Sequence, residues 1–382
     1  MKPNIIFIFA DDMGYGDISC QNPESKILTP NLDKLASEGM RFTEAHASSA
    51  VCTPSRYGVL TGRYAWRGGL ESGVLWGYSC RLIEEDRQTV ASLLKTEGYS
   101  TGCVGKWHLG WDWQLKPGAE YSTDRHGLLG AAPDDVDYAK PILNGPLSLG
   151  FDYFFGISAS LDMDPYCYIE NDKVTALPNR TIEASPYDAY WREGHISPDF
   201  IHEEVLPTFS DKADSFIREK ANDDMPFFLY FPLNAPHTPI LPAPEFQGRS
   251  GAGAYGDFVI QCDAVVGGIM KTLDELNIAD NTLLIYTSDN GAERIAYQRA
   301  LDTGHFSSGP LRGLKRDIWE GGHRIPFIAR WPGQVSAGGV CDQRICLTDF
   351  FATVAEIAEA SPEPDTGEDS LSLFNALKGD PI

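Results

Sequence analysis

Two pairs of oxygen-bearing side chains close apolar runs: Asp11 and Asp12 follow NIIFIFA, and Asp289 with Asn290 follows NTLLIYTS. A single pair of acids is equally well explained by a solvated turn or a helix cap. Two such clusters at separate strand ends suit a hard divalent cation such as Ca²⁺ or Mg²⁺ rather than zinc, because carboxylate and amide oxygens match hard ions. A third segment, Cys52-Thr53-Pro54-Ser55-Arg56, sets a thiol and a guanidinium four residues apart. Thr53 as N-cap with Pro54 at the first helical position predicts a helix start there. Such a start puts Arg56 near Cys52 and aims backbone N–H groups at an anion. Taken alone, Cys52 also fits a buried structural cysteine.

With Leu60-Thr61-Gly62-Arg63 behind it, the pentapeptide resembles the C-x-P-S-R…L-T-G-R signature of the type I, formylglycine-dependent sulfatases of the alkaline-phosphatase-like superfamily. The agreement runs from Asn4 to about residue 357. Gly105-Lys106-Trp107-His108 is similar to the family's G-K-W-H motif, His237 in NAPHTP to its histidine after a P-F-F-L strand, and Lys315 before EGG to its second sulfate lysine. Ser160 in GISASLD resembles a sulfate-binding serine through a looser match and stays outside the expected set.

The resemblance implies one Ca²⁺ held by Asp11, Asp12, Asp289, Asn290 and residue 52, with Cys52 oxidised to Cα-formylglycine by a formylglycine-generating maturation enzyme. It further implies that the hydrated aldehyde attacks sulfur, Asp289 taking its proton and Arg56 holding the deprotonated diol. Lys106 and Lys315 neutralise the sulfate oxygens, and His237, assisted by Lys315, protonates the departing alcohol. His108 then deprotonates the second hydroxyl, so that the aldehyde re-forms as sulfate leaves. The expected activity is hydrolysis of a sulfate monoester, with a sulfated carbohydrate ranked ahead of a small aryl sulfate. The rival expectations are a phosphodiesterase or phosphonate monoester hydrolase of the same fold, or a binding protein whose Cys52 is never oxidised.

These residues need rigid elements behind them. NIIFIFA, PFFLYFP and NTLLIYTS read as buried parallel strands ending in polar residues, since runs apolar at nearly every position suit strands covered on both faces. Helical patterns fall at TPNLDKLASEG, with Thr29 as N-cap, Pro30 first and Gly39 past the end, at TVASLLKTEG, at about 202–221 and 255–277, and at DFFATVAEIAEA. RFTEAHA reads as one short strand and GYSTGCVGKWHLG as turn, strand and polar loop. Alternating strands and helices predict an α/β sandwich with a mostly parallel sheet, whose ligands bind at the carboxyl ends of the strands. The resemblance makes this an alkaline-phosphatase-like sandwich, a large mixed sheet flanked by helices, with residues 1–360 as catalytic domain. Residues 361–382 are expected to be a linker or the start of a truncated C-terminal subdomain. Between about 111 and 200 the chain is rich in Trp, Tyr, Asp and Arg, which suits stacking on sugar rings and equally suits aromatics packing on one another.

The bulk properties exclude several classes. With 31 Lys and Arg against 54 Asp and Glu, the net charge is 31 − 54 = −23, which leaves no basic field for nucleic acid. No apolar run reaches the length of a membrane span, and eight scattered cysteines without a CxxC pair suggest neither a cysteine zinc site nor a dense disulfide framework. IIFIFA is too short for a secretory leader. The expected location is therefore cytoplasmic as the chain is written, or periplasmic or secreted if a leader has been removed.

Overall fold

NIIFIFA is apolar at every position because its two faces feed two different cores. In the computed structural model, which describes residues 2–124 and 127–381, this run is β1 (Asn4–Ala10), inside a ten-stranded sheet. The other strands are β2 (Met40–Phe42), β3 (Ser100–Lys106), β4 (Tyr153–Ile157), β5 (Ile169–Glu170), β6 (Lys173–Val174), β7 (Phe227–Pro232), β8 (Thr282–Ser288), β9 (Phe327–Arg330) and β10 (Gly339–Cys341). Their order is β10-β2-β9-β8-β1-β7-β3-β4-β5-β6. The five central strands, β8 to β4, run parallel. Antiparallel pairs flank them on both sides, β8 with β9 and β4 with β5.

The helices are α1 (Pro30–Glu38), α2 (Cys52–Thr61), α3 (Val90–Thr96), α4 (Val205–Lys220), α5 (Gly253–Glu275), α6 (Ala296–Thr303), α7 (Glu320–His323), α8 (Phe350–Ile357) and α9 (Phe374–Lys378). Ile5, Phe7 and Phe9 point into a core shared with α2, α3 and α8. Ile6, Ile8 and Ala10 point into a second core with α1, α4 and α5. The period of two along β1 thus produces the sandwich.

Several local expectations change. Thr29 holds the N-cap position of α1 but makes no side-chain cap bond. Asp263 of α5 accepts from Leu32 N at 2.8 Å and Asn31 N at 3.2 Å instead, a partner from a distant segment. RFTEAHA splits into β2 and the two-residue strand Ala45–His46. Trp111 and Trp113 are buried, so part of the aromatic insert packs on itself. Residues 361–381 lie against the first of these cores: Leu373, Ala376 and Leu377 are buried in it, and Arg67 Nε donates to Asp369 at 2.7 Å. No helix of the described residues is long and apolar enough to cross a membrane.

Candidate active site

Parallel strands in level register end on one edge. Ala10 of β1 pairs with Ser288 of β8, and Phe9 with Pro232 of β7. The next residues of each chain segment therefore meet: Asp11 and Asp12 from β1, Asp289 and Asn290 from β8, His237 beyond β7, and Lys106 and His108 from β3. Cys52 and Arg56 are brought in by α2, and Lys315 by the loop between α6 and α7. Every residue singled out in the sequence is thus gathered here, all buried except the half-buried His237.

The helix start differs in detail from the expectation. α2 begins at Cys52 itself, with extended Val51 in the N-cap position, so Thr53 does not cap it. Thr53 Oγ1 donates to His108 O at 3.0 Å and accepts from Leu75 N at 3.1 Å, tying the Cys52 turn to the end of β3. Asp12 and His108 take left-handed backbone conformations (φ 63° and 57°), uncommon for residues other than glycine and concentrated at functional sites.

Three carboxylates face three cations. Lys106 Nζ lies 2.6 Å from Asp11 Oδ2, Lys315 Nζ 2.6 Å from Asp12 Oδ1, and Arg56 Nη2 2.8 Å from Asp289 Oδ2. His237 Nε2 is 3.6 Å from Asp12 Oδ2. Burial alone would raise the Asp11 carboxyl, but Lys106, His237 and Arg56 together hold it well below its usual range. Asp12 is lowered for similar reasons, chiefly Lys315 acting against burial. Asp289 goes the other way, pushed up to about 6 by burial and by Asp11. Burial opposes the charge on Lys315, yet Asp12 outweighs it and keeps the ammonium protonated.

Cys52 Sγ lies 3.4 Å from Asp11 Oδ1. Burial, followed by the Asp289 charge, drives its thiol well above the ordinary value, so the thiolate that a cysteine nucleophile requires is disfavoured. His108 is shifted well down by burial and by Lys106, which makes it a neutral imidazole at neutral pH. Its Nε2 contacts Leu75 O at 2.8 Å; a carbonyl only accepts, so Nε2 carries the hydrogen. Nδ1 is left as a buried lone pair without a hydrogen-bond partner.

A metal ion fits these donors. Asp11, Asp12, Cys52 and His237 present ligand atoms within 4.8 Å of one another. Asn290 adds an amide whose Nδ2 donates to Asp12 Oδ1 at 2.7 Å while Oδ1 is buried without a partner, an orphan that a cation or a flipped amide would satisfy. Asp289 stands outside the tightest group, its Oδ2 on Arg56 and its Oδ1 on Asp12 N at 3.1 Å.

Of the cluster, Asp12, Cys52, His108, His237 and Lys315 line a cavity of about 540 Å³, with Ser160, Asp162, Tyr190, Arg192, Glu293 and Arg316 also in its wall. Sequence reasoning left these out. Ser160, whose buried Oγ has no partner, had a loose motif as its signal. Arg192 is paired with Asp162 and Arg316 with Glu293, and these pairings across distant segments leave no local pattern.

The sulfatase family model matches residues 3–360. The chain is 37% identical to an N-acetylgalactosamine-6-O-sulfatase of Bacteroides thetaiotaomicron over 99% of its own length and 77% of that protein's. It is 35% identical to human arylsulfatase A, covering 99% of this chain and 68% of that one. Among solved structures it resembles one from the glycosaminoglycan-metabolising locus of Bacteroides thetaiotaomicron, at a TM-score of 0.85 and 35% identity, over 99% of this chain and 82% of that one.

Proposed function

The chain belongs to the sulfatase family and is a sulfuric ester hydrolase, and from that premise we propose that its nucleophile is Cα-formylglycine made from Cys52, working beside one Ca²⁺ on a sulfated carbohydrate. The observation that carries this reading is a buried residue 52, disfavoured as a thiolate by burial and Asp289, that lines a cavity together with Asp12, His108, His237 and Lys315.

Oxidation of Cys52 and hydration of the aldehyde supply two hydroxyls on one carbon, one to attack sulfur and one to be deprotonated for release of sulfate. Asp11, Asp12, Asp289 and Asn290 would hold the Ca²⁺, which would supply positive charge to the reaction and favour the ionised form of the residue 52 hydroxyl. Lys106 and Lys315 bind the sulfate oxygens as fixed donors where negative charge resides in the transition state. Arg56 orients Asp289 and Asp11 and holds the ionised hydroxyl of residue 52. His237 is the proton donor to the departing alcohol oxygen. His108 Nδ1, with its free lone pair, accepts the proton of the second hydroxyl of residue 52.

The rim supports a sugar. Arg192 and Tyr190 are both in the cavity wall, the guanidinium 5.3 Å from the Tyr190 ring centroid, which supports a polyhydroxylated, anionic ligand. The B. thetaiotaomicron relative is named for a sulfated amino sugar, which supports the same class.

Peptide mass spectrometry after co-expression with a formylglycine-generating enzyme tests the nucleophile: residue 52 is expected to be lighter by about 18 Da. Turnover of nitrophenyl sulfate should exceed that of the matching phosphate diester. Full turnover from a protein whose Cys52 is unoxidised, or a preference for the diester, overturns the reading.

A further inference from the structure

A second set of ligand-type side chains lies outside this cavity. His46 closes the short strand Ala45–His46, and its Nδ1 faces His323 Nδ1 of α7 at 3.1 Å. Glu320 stands three residues before His323 on α7, one turn away on the same face. The donor atoms of His46, Glu320 and His323 all lie within 4.8 Å of one another.

A backbone carbonyl fixes the hydrogen on one of the two rings. His323 Nε2 contacts Ile318 O at 3.1 Å, and a carbonyl only accepts, so the hydrogen is on Nε2 and Nδ1 is a lone pair. His46 Nε2 lies 3.5 Å from Glu44 Oε2 without forming a hydrogen bond, so the Glu44 charge favours a hydrogen on Nε2 without fixing it there. With the hydrogen on His46 Nδ1 that ring donates to His323; with it on Nε2 two lone pairs converge at 3.1 Å. A metal ion relieves that convergence directly. Two nitrogens each about 2.0–2.1 Å from a tetrahedral Zn²⁺ stand roughly 3.3 Å apart, close to the separation seen.

The outer contacts match as well. Arg324 Nε holds Glu320 Oε2 at 2.6 Å and Arg324 Nη1 holds Glu44 Oε1 at 2.6 Å, so Glu320 Oε1 is not taken up by Arg324, and Glu44 Oε2 lies near His46 Nε2. Histidine ligands are typically oriented by such acceptors on their second nitrogen. All three donors are half-buried, so the fourth position is open to water.

We propose that His46 Nδ1, His323 Nδ1 and Glu320 form a site for a first-row divalent transition ion, Zn²⁺ being the best match, sharing no residue with the oxygen-rich cluster at Asp11 and Asp12. The ion clips together the segment leading into Cys52 and the segment following Lys315, which already pair through Ala47 N to His323 O at 2.7 Å and Ile325 N to Ala45 O at 3.0 Å. The site is thus structural and holds two walls of the active site in register.

Equilibrium dialysis of the full chain against Zn²⁺ in saturating Ca²⁺, followed by elemental analysis, tests this. One zinc per chain is expected, with a rise in Tm, and Co²⁺ in its place should give a visible d–d band with histidine ligation. His46→Gln and His323→Gln should each lose the ion, the band and the Tm rise. Wild-type protein that binds no zinc, a band without nitrogen ligation, or a His46→Gln/His323→Gln double variant that binds zinc as the wild type does would overturn the proposal. Should the variants fail to fold, the wild-type dialysis and cobalt spectrum still decide it.

Discussion

Cys52 is held 3.4 Å from Asp11 Oδ1, and burial followed by the Asp289 charge raises its thiol against Lys106 and Lys315, so the anion that a cysteine enzyme would use is disfavoured. Cys52→Ser is close in volume and should fold with a Tm near that of the parent. It should lose turnover, since a serine hydroxyl lacks the second hydroxyl on the same carbon; undiminished sulfate release from this variant would refute the formylglycine role. Lys315 presents a different balance. It is buried against Asp12 at 2.6 Å, and removing one partner of a buried pair leaves the other charge uncompensated. Lys315→Ala should therefore lose about 3–5 kcal/mol of stability in chelator. It should lose much less in Ca²⁺, because the cation takes over the charge of Asp12. Lost transition-state contacts should lower kcat/KM about 10²–10³-fold even with Ca²⁺ present. Urea melts with and without Ca²⁺ separate the two effects; equal losses in both would contradict a metal at Asp12.

At the scale of elements, the approach of β3 to β7 depends on Gly105, the first residue of the G-K-W-H segment. Its φ is +133°, and a Cβ there would stand 1.9 Å from Pro232 O. Gly105→Ala must push β3 from β7 and displace Lys106, so we expect a loss of about 2–4 kcal/mol and a fall in activity together, measured by thermal melts and turnover. His202, just before α4, shows a second constraint. It stacks on Trp191 at 4.3 Å, its Nε2 has no partner, and burial lowers its pKa to about 4. The unfolded chain binds this proton below about 6.5 while the folded chain does not. Stability is therefore full above that pH and lost as pH falls toward 4, by about 2 kcal/mol at pH 5. His202→Phe should flatten that slope in urea titrations at pH 7.5 and 5, and an unchanged slope would exclude His202 as its source. The central strands were legible in the sequence because burial on both faces demands unbroken apolar runs, and the polar pairs closing them were visible for the same reason. What stayed hidden was set by tertiary partners: Asp263 capping α1, Val51 rather than Thr53 preceding α2, and the pairing of Arg192 with Asp162. Each involves residues whose own neighbourhood carries no periodicity to read.

For the whole molecule, a net charge of −23 surrounds a site for an anionic substrate. The question is whether the cations at the cavity offset that field. Lys315 is paired with Asp12, Arg192 with Asp162 and Arg316 with Glu293, while Lys106 and Arg56 are buried on Asp11 and Asp289. Each positive group near the path of entry thus has a carboxylate beside it, and the attraction at long range is small. A bound Ca²⁺ adds two charges at the floor, set against 23 of the opposite sign over the molecule. An approaching sulfate ester therefore meets net repulsion that extends about 30 Å at 0.01 M salt and about 8 Å at 0.15 M. Raising KCl across that range at saturating Ca²⁺ should increase kcat/KM, by roughly threefold for a monosulfated saccharide and more steeply for a multiply sulfated one, since repulsion scales with ligand charge. kcat should change little, because the bound ester is shielded within the cavity. The dependence should be absent for an uncharged ligand measured by inhibition. A kcat/KM that falls with salt, most for the highest-charge substrate, would show that the site's own cations govern approach and that the pairing described here is broken when substrate arrives.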